Sequence, residues 1–197
     1  FENIGRTSNK GVELTVETRN IVKPKFSWST SLTLSHNKQM VEDIGSEDFV
    51  SAMNSPGNSQ YMMYGYVKGR PLNALWGFKY GGTWKNAEER AENKITKTYV
   101  SPSNSDGGPR YYDINHDGVM SKEDLIYQGN ADPYLYGGLQ NTFYIYGLKV
   151  GVYFAYSLGG KIYNYSELYM AGTYSSNQYR YMANSWHPVR NPDSDLP

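Results

Sequence analysis

Residues 26–35 alternate without a break. Phe26, Trp28, Leu32 and Leu34, with Thr30 among them, fall on one side of an extended chain; Ser27, Ser29, Ser31, Thr33 and Ser35 fall on the other. A period of two is the signature of a strand whose faces meet different surroundings. The second face is small and hydroxylated throughout, which suits water or a wet lumen. Residues 11–18 alternate in the same way, Val12, Leu14 and Val16 against Glu13, Thr15 and Glu17, and residues 20–24 read as the turn between the two runs. Residues 148–158 repeat the pattern: Leu148, Val150, Val152, Phe154 and Tyr156 oppose Lys149, Gly151, Tyr153, Ala155 and Ser157. Tyr146-Gly147 joins them tightly to a partner run over residues 136–146. Each of these two runs is about as long as the 9–11 residues of a tilted strand that crosses a bilayer.

Composition agrees with strands. The 197 residues include 20 Tyr and 20 Gly, with a mean hydropathy of −0.68. Tyrosine suits strands and apolar–water boundaries, its ring apolar and its tip polar. This points to an all-β protein, secreted or a membrane barrel, and away from a cytosolic helical domain. Formal charge is zero, so nothing draws the chain to nucleic acid. Cysteine is absent, which excludes disulfides and thiolate metal sites. No apolar run approaches the roughly 20 residues of a transmembrane helix.

Between the alternating runs lie loop and short-element signals. Residues 36–60 read as a polar, irregular loop broken at Ser55-Pro-Gly-Asn58, with Glu42, Asp43, Glu47 and Asp48 as a solvated acidic stretch. Residues 61–67 and 75–80 read as strands, the latter closing at Gly81-Gly82. Asn86 followed by Glu88 and Glu89 predicts a short capped helix over residues 86–91. Residues 94–108 read as a loop, 166–183 as near-helical spacing weakened by Gly172, and 186–197 as an extended Pro-rich loop.

The most specific chemistry is Asp113-Ile-Asn-His-Asp-Gly-Val-Met-Ser-Lys-Glu-Asp124. A twelve-residue calcium loop needs oxygen ligands at positions one, three and five, a backbone carbonyl at seven and a carboxylate at twelve. Asp113, Asn115, Asp117, Val119 and Asp124 fill those places, and Gly118 sits at six, where the loop turns sharply. Ser121 at position nine is suited to ligate or hold a water. Each pair of converging carboxylates would repel by about 4 kcal/mol at an effective dielectric near 20. A structural Ca2+ is therefore expected unless the carboxylates splay apart. Asp124 in place of the usual Glu weakens the site or favours magnesium. No helical pattern leads in, so this is a calcium-loop half; the alternative is an Asp/Asn/Gly turn without metal.

The order of several segments resembles the C-terminal part of SusC/RagA-type TonB-dependent transporters of the Bacteroidetes outer membrane. The matching pieces are Asn3-Ile-Gly-Arg-Thr-Ser-Asn-Lys-Gly-Val-Glu-Leu14, Gly69-Arg-Pro-Leu-Asn-Ala-Leu-Trp-Gly-Phe78 and Gly81-Gly-Thr-Trp84 with Glu88-Glu89. Tyr112-Asp-Ile-Asn-His-Asp-Gly-Val119, Asn130-Ala-Asp-Pro-Tyr-Leu-Tyr-Gly-Gly138, Gly159-Gly-Lys-Ile-Tyr-Asn164, Trp186-His-Pro188 and residues 191–197 continue it. The resemblance covers nearly the whole chain and implies a segment of a large antiparallel transmembrane β-barrel with long extracellular loops and short helices. In the familiar pattern further strands follow Pro197, and a plug and TonB box precede residue 1. The chain accordingly reads as a piece of a longer protein.

The resemblance implies TonB-dependent uptake of oligosaccharides or peptides across the cell outer membrane. A SusD-like surface lipoprotein would act as lid, and TonB would engage the missing N-terminal part. The apolar faces would meet outer-membrane lipid. Residues 36–60, 106–132 and 164–197 would be extracellular loops, 20–24 and 146–147 periplasmic turns. A soluble calcium-stabilised carbohydrate-binding β module is the rival reading. An enzyme is not expected: His36, His116 and His187 lie apart, and no G-x-S-x-G occurs. The Tyr-rich segment 163–181 reads first as packing within its loop and only weakly as a candidate for contact with lid or substrate.

Overall fold

A computed structural model describes residues 5–45, 50–54, 62–92, 97–98, 105–172 and 177–197. In chain order the strands are β1 (Arg6–Lys23), β2 (Phe26–Asp43), β3 (Val50–Asn54), β4 (Met62–Tyr66), β5 (Ala74–Gly77) and β6 (Tyr80–Thr83). They continue as β7 (Lys97–Thr98), β8 (Pro109–Tyr111), β9 (Val119–Met120), β10 (Ile126–Asn130), β11 (Pro133–Ile145) and β12 (Leu148–Gly159). Two short helices, α1 (Ala87–Glu92) and α2 (Tyr165–Gly172), complete the set with 3-10 turns at Lys122–Asp124 and Arg180–Asn184. The fold is all-β and mostly antiparallel, and divides into two compact units.

The first unit is built on one sheet in the order β1-β2-β11-β12, open at β1 and β12. Its register decides its faces, because directly opposed residues on antiparallel strands project to the same side. Val16, Leu32, Leu139 and Phe154 form one row across all four strands; Leu14, Leu34, Gly137 and Tyr156 form the next. The opposite side carries the row Glu17, Ser31, Gln140 and Tyr153. The two alternating hairpins therefore combine into one sheet with an apolar and a polar side.

Nothing in the described residues covers the apolar side. Val12 is 69% exposed, Leu14 50% and Phe154 60%. Among the described residues the buried apolar ones are Val41, Ala74, Leu75, Trp84 and Met120, all outside residues 12–34 and 135–158. A conventional sandwich would bury this face as its core.

Polar residues on the apolar side are tied to each other. Thr18 Oγ1 donates to Asn20 Oδ1 (2.9 Å), Asn20 Nδ2 to Thr30 Oγ1 (2.7 Å), and Thr30 Oγ1 to Asn141 Oδ1 (2.7 Å). Trp28 Nε1 donates to the same Asn141 oxygen at 2.9 Å, its ring stacked on Phe143. Two adjacent glycines let tyrosines lie across the sheet: Tyr156 donates from its hydroxyl to Thr33 O (2.6 Å) over Gly137, and Tyr153 lies over Gly138 on the other side.

The strands run further than alternation predicts. The turn is Pro24-Lys25 rather than residues 20–24, and Asn20 sits at a register shift between Arg19 and Ile21. At the other end β2 continues to Asp43, pairing its last residues with Arg6–Gly11 of β1, where a loop was expected from His36. Polar residues fall on both faces of that extension, and its two apolar residues, Met40 and Val41, are adjacent and so take one face each; no alternation marks it. It is held by main-chain bonds, Gly69 N to Val41 O (2.8 Å) and Val41 N to Arg70 O (2.9 Å), which bury Val41. Residues 36–60 also contain β3, while Ser55–Asn58, Glu47 and Asp48 lie outside the described residues. Gly81-Gly82 lies inside β6 rather than ending a strand. The 166–183 helix stops at Gly172, and Arg180–Asn184 is a separate turn. At Tyr146-Gly147 both residues adopt positive φ, 50° and 91°, as a two-residue hairpin turn requires.

Gly137 and Gly151 lie on the same hairpin with opposite surroundings. A Cβ at Gly137 would collide with Thr33 O and the Tyr156 hydroxyl, whereas Gly151 has nothing within 4 Å. Overpacking of this kind costs about 1–3 kcal/mol. In the full-length protein, Gly137→Ala should lower the fraction migrating as a folded, heat-modifiable band, and Gly151→Ala should not.

Candidate functional site

Three arrangements carry chemistry. The first is the polar side of the sheet, where Glu17, Arg19, Ser29, Ser31, Gln140 and Thr142 line an open hollow of about 390 Å³. A carboxylate and a guanidinium stand two residues apart on β1 above hydroxyls and an amide. Such a wall hydrogen-bonds a polar solute or a polar protein surface.

The second is the Asp113–Asp124 loop, entered from β8 and left through the Lys122–Asp124 turn. Gly118 at position six has φ 80°, the sharp turn its place demands, and His116 has φ 61°. Asp113 accepts His116 N (2.7 Å) and Gly118 N (2.8 Å) on its two oxygens. Asn115 Oδ1 accepts Asp117 N (3.1 Å), and Asn115 Nδ2 donates to Asp117 (3.0 Å) and Glu123 (3.2 Å). Asp117 accepts Val119 N at 2.7 Å. Asp124 is fully buried and accepts Ile114 N and Ser121 N, each at 2.8 Å. Val119 belongs to β9, which pairs in parallel with β7.

The carboxylates are thus turned to backbone N–H groups, and no group of three or more His, Asp or Glu is gathered for a metal among the described residues. This is the splayed arrangement that relieves their repulsion. The donor set still consists of hard oxygens, which is calcium chemistry, and a carboxylate oxygen accepting one N–H retains a lone pair. Ser121, read from sequence as position nine, caps the turn: its hydroxyl accepts Glu123 N, while Asp124 reaches back to Ser121 N. Ser121-x-x-Asp124 is a capping-box signal, and it was legible in the sequence.

The third is a clasp on β6. Lys85 Nζ donates to Thr83 Oγ1 (3.0 Å), Ser194 O (2.6 Å) and Asp195 Oδ1 (3.0 Å), while Thr83 Oγ1 also donates to Ser194 O. The Lys85 ammonium, by hydrogen bond and charge, holds the Asp195 carboxyl below the usual carboxylate range. Tyr80 donates to Asp195 O, and burial, with Tyr111 and Asp195 nearby, pushes its hydroxyl up to about 12. An extended Pro-rich loop such as residues 186–197 needs packing or a partner to be ordered; Lys85 and Thr83 supply part of that packing. Near α2, Tyr181 donates to Glu167 (2.7 Å) and stacks on Tyr179, and the hydrogen bond to Glu167 is the main cause that pushes its pKa up to about 12. The histidines stay apart: His36 donates to Tyr134 O, and His187 accepts Val189 N and Arg190 N.

The chain is similar to two curated proteins of Formosa agariphila. It is 31% identical to TonB-dependent receptor P26 over 205 residues and 27% identical to TonB-dependent receptor P3 over 198 residues. Each alignment takes in 100% of this chain and 19% of the relative, so the chain spans about a fifth of their length. A chain of the solved RagAB peptide transporter matches its fold with a TM-score of 0.69 at 18% identity, over 100% of this chain and 20% of that one. No family model matches.

Asp124→Ala would remove the buried carboxylate that accepts the Ile114 and Ser121 amides; a hydrogen bond to a charged group contributes about 1.5–3 kcal/mol. In the full-length protein the amides of Ile114 and Ser121 should then exchange with solvent faster, as read by hydrogen exchange. The Lys85–Asp195 clasp rests on an ionised Asp195. Its folded pKa lies below the ordinary 3.8, so its contribution is fully present above that value and is lost as pH falls through the lower, folded one. Lys85→Met should raise protease cleavage within residues 186–197 at neutral pH.

Proposed function

Because the chain belongs to the TonB-dependent receptors of the outer membrane, in their SusC/RagA-like group, we propose that it supplies four wall strands and outer loops to a transporter barrel. The observation that carries this is the uncovered apolar side of the β1-β2-β11-β12 sheet, opposite a polar side rich in Ser, Thr and Gln. The apolar rows face lipid and the polar rows face the lumen. Strands must pair completely in a bilayer, since no water satisfies a free N–H there, and neighbouring strands of the full barrel would pair with β1 and β12. Tight turns at Pro24-Lys25 and Tyr146-Gly147 lie on the periplasmic side, and the longer excursions lie outside.

In this reading the barrel imports an oligosaccharide or a peptide, driven through TonB and delivered beneath a SusD-like surface lipoprotein. The Glu17–Arg19 hollow is part of the wetted path. A soluble carbohydrate-binding module is disfavoured because its sheet would cover the apolar rows with a core. The chain acts by binding and conducting rather than by catalysis.

The Asp113–Asp124 loop takes a structural calcium ion in this reading, with Asp113, Asn115, Asp117, the Val119 carbonyl and Asp124 as its oxygen donors. An ion that binds only the folded loop stabilises it by mass action, about 2.7 kcal/mol at a hundredfold excess over Kd. The full-length receptor should melt higher in calcium than in chelator, and Asp117→Ala should abolish the difference. Identical melting of the wild type in both would remove the ion.

The wall reading is tested by paired substitutions in one layer. An arginine on the lipid side costs about 2–4 kcal/mol near the bilayer midplane. Leu32→Arg should deplete assembled receptor from the outer membrane, and Ser31→Arg, one residue away on the lumen side, should leave assembly intact. Growth of a receptor-deleted strain on single oligosaccharides or peptides identifies the cargo.

A further inference from the structure

Charge is distributed unevenly along the wall strands. From Thr18 to Ser31 and from Gly138 to Ala155 the chain holds Arg19, Lys23, Lys25 and Lys149 and no Asp or Glu. The other end of the same strands is mixed: Glu42 and Asp43 stand there with Arg6, Lys10 and Lys38, and Asp132 just precedes β11. The nearest acid along β1 from Lys23 is Glu17, about 20 Å of strand away at ~3.3 Å per residue.

The two hairpin turns at the basic end lie side by side. Ile145 opposes Phe26, and Tyr146 N donates to Lys25 O at 2.9 Å, so one main-chain bond fastens turn to turn. Lys25 Nζ lies 5.6 Å from the centre of the Tyr146 ring, within cation–π reach. Lys23 opposes Phe26 and so stands on the apolar side, in line with Trp28 and Phe143. Lys149 opposes Tyr144 and lies over its ring on the polar side, 5.6 Å from its centre.

A lysine that follows an apolar row on a lipid-facing surface lays its stem along the apolar groups and lifts its ammonium to the headgroup layer. The aromatic residues Trp28, Phe143 and Tyr146 mark that layer, where such rings concentrate. Lys23 and Lys25 then present two ammonium groups at headgroup depth with no carboxylate beside them. We propose that the paired turns Pro24-Lys25 and Tyr146-Gly147 form a docking surface for the phosphate of an anionic phospholipid in the adjoining leaflet, held by Lys23 and Lys25. The proposal rests on the wall reading above, which puts these turns at the periplasmic leaflet. Lys149, on the opposite side of the sheet, has no part in it and serves as the internal control.

The experiment uses the full-length receptor in two arms. In cells, Pro24→Cys should react with a membrane-impermeant maleimide only after the outer membrane is permeabilised. Labelling of intact cells would overturn the orientation, and this proposal with it. In detergent, the receptor is titrated with phosphatidylglycerol and with phosphatidylcholine and read by native mass spectrometry. The wild type should retain phosphatidylglycerol preferentially. Lys23→Gln and Lys25→Gln should each weaken that preference about fivefold, the weight of one lysine at an anionic surface. Lys149→Gln should leave it unchanged. A wild type without preference, or an equal loss in Lys149→Gln, would overturn the lipid site while the orientation stands.

Discussion

The register of β2 on β11 is the constraint from which the wall follows. These strands are far apart in the chain, and each brings a hairpin partner with its own alternation. Setting Leu32 opposite Leu139 and Thr33 opposite Gly138 puts both hairpins' apolar side chains on one side. A slip of one residue would turn the rows of β11 and β12 to the other face and break both surfaces. Contacts specific to this register bridge the pair: Tyr156 to Thr33, Trp28 and Thr30 to Asn141, and Tyr146 to Lys25. Glycines at 137 and 138 admit the tyrosine rings on which the upper contacts depend, one on each face.

Outside the two-faced part, the same chain follows ordinary aqueous rules. The β1–β2 extension is held by main-chain bonds to Gly69–Leu72, and among the described residues the buried side chains lie there, at Ala74 and Leu75, and in the second unit. Around Asp113–Asp124 the backbone itself supplies the positive partners for three carboxylates. Those bonds set the competition a cation would face: each ion–oxygen bond must add to, or displace, an N–H already in place.

Sequence was most legible where polarity alternates. The faces of residues 11–18, 26–35 and 148–158, the Tyr146-Gly147 turn and the Asn86 cap all follow from local chemistry, and Asn86 Oδ1 does accept Glu89 N. What stayed hidden lacked a local signal. The strand extension beyond His36 mixes polar residues on both sides with one apolar residue on each, Met40 and Val41, so a period of two carries no contrast there. Gly137-Gly138 looked like an ordinary strand segment because its purpose, admitting Tyr153 and Tyr156, depends on β12 and β2. Gly81-Gly82 looked like a strand end for the same reason: the group packed over Gly82 is Asp195, more than a hundred residues later. The loop from Asp113 was legible as calcium chemistry, but the double use of Asp124, as twelfth position and as partner in a cap, was not separated.

Departures from alternation on the apolar side are of two kinds, and the difference between them is physical. Thr18, Thr30 and Asn141 lie within the apolar rows, where an unsatisfied polar atom is costly. They are linked through Asn20 and Trp28 into one chain that spans β1, β2 and β11. Lys23 stands in the last row before the turns, with Phe26, Ile145 and Leu148, and has no partner of opposite charge in its strand or in the neighbouring turn. A polar group deep in the face must be answered by the protein, because the hydrocarbon cannot answer it. A charge at the edge is left to the solvent layer it reaches. In the wall reading, the internal bonding of Asn141 and the unpaired ammonium of Lys23 are two consequences of one boundary, lying between Trp28 and the Pro24-Lys25 turn.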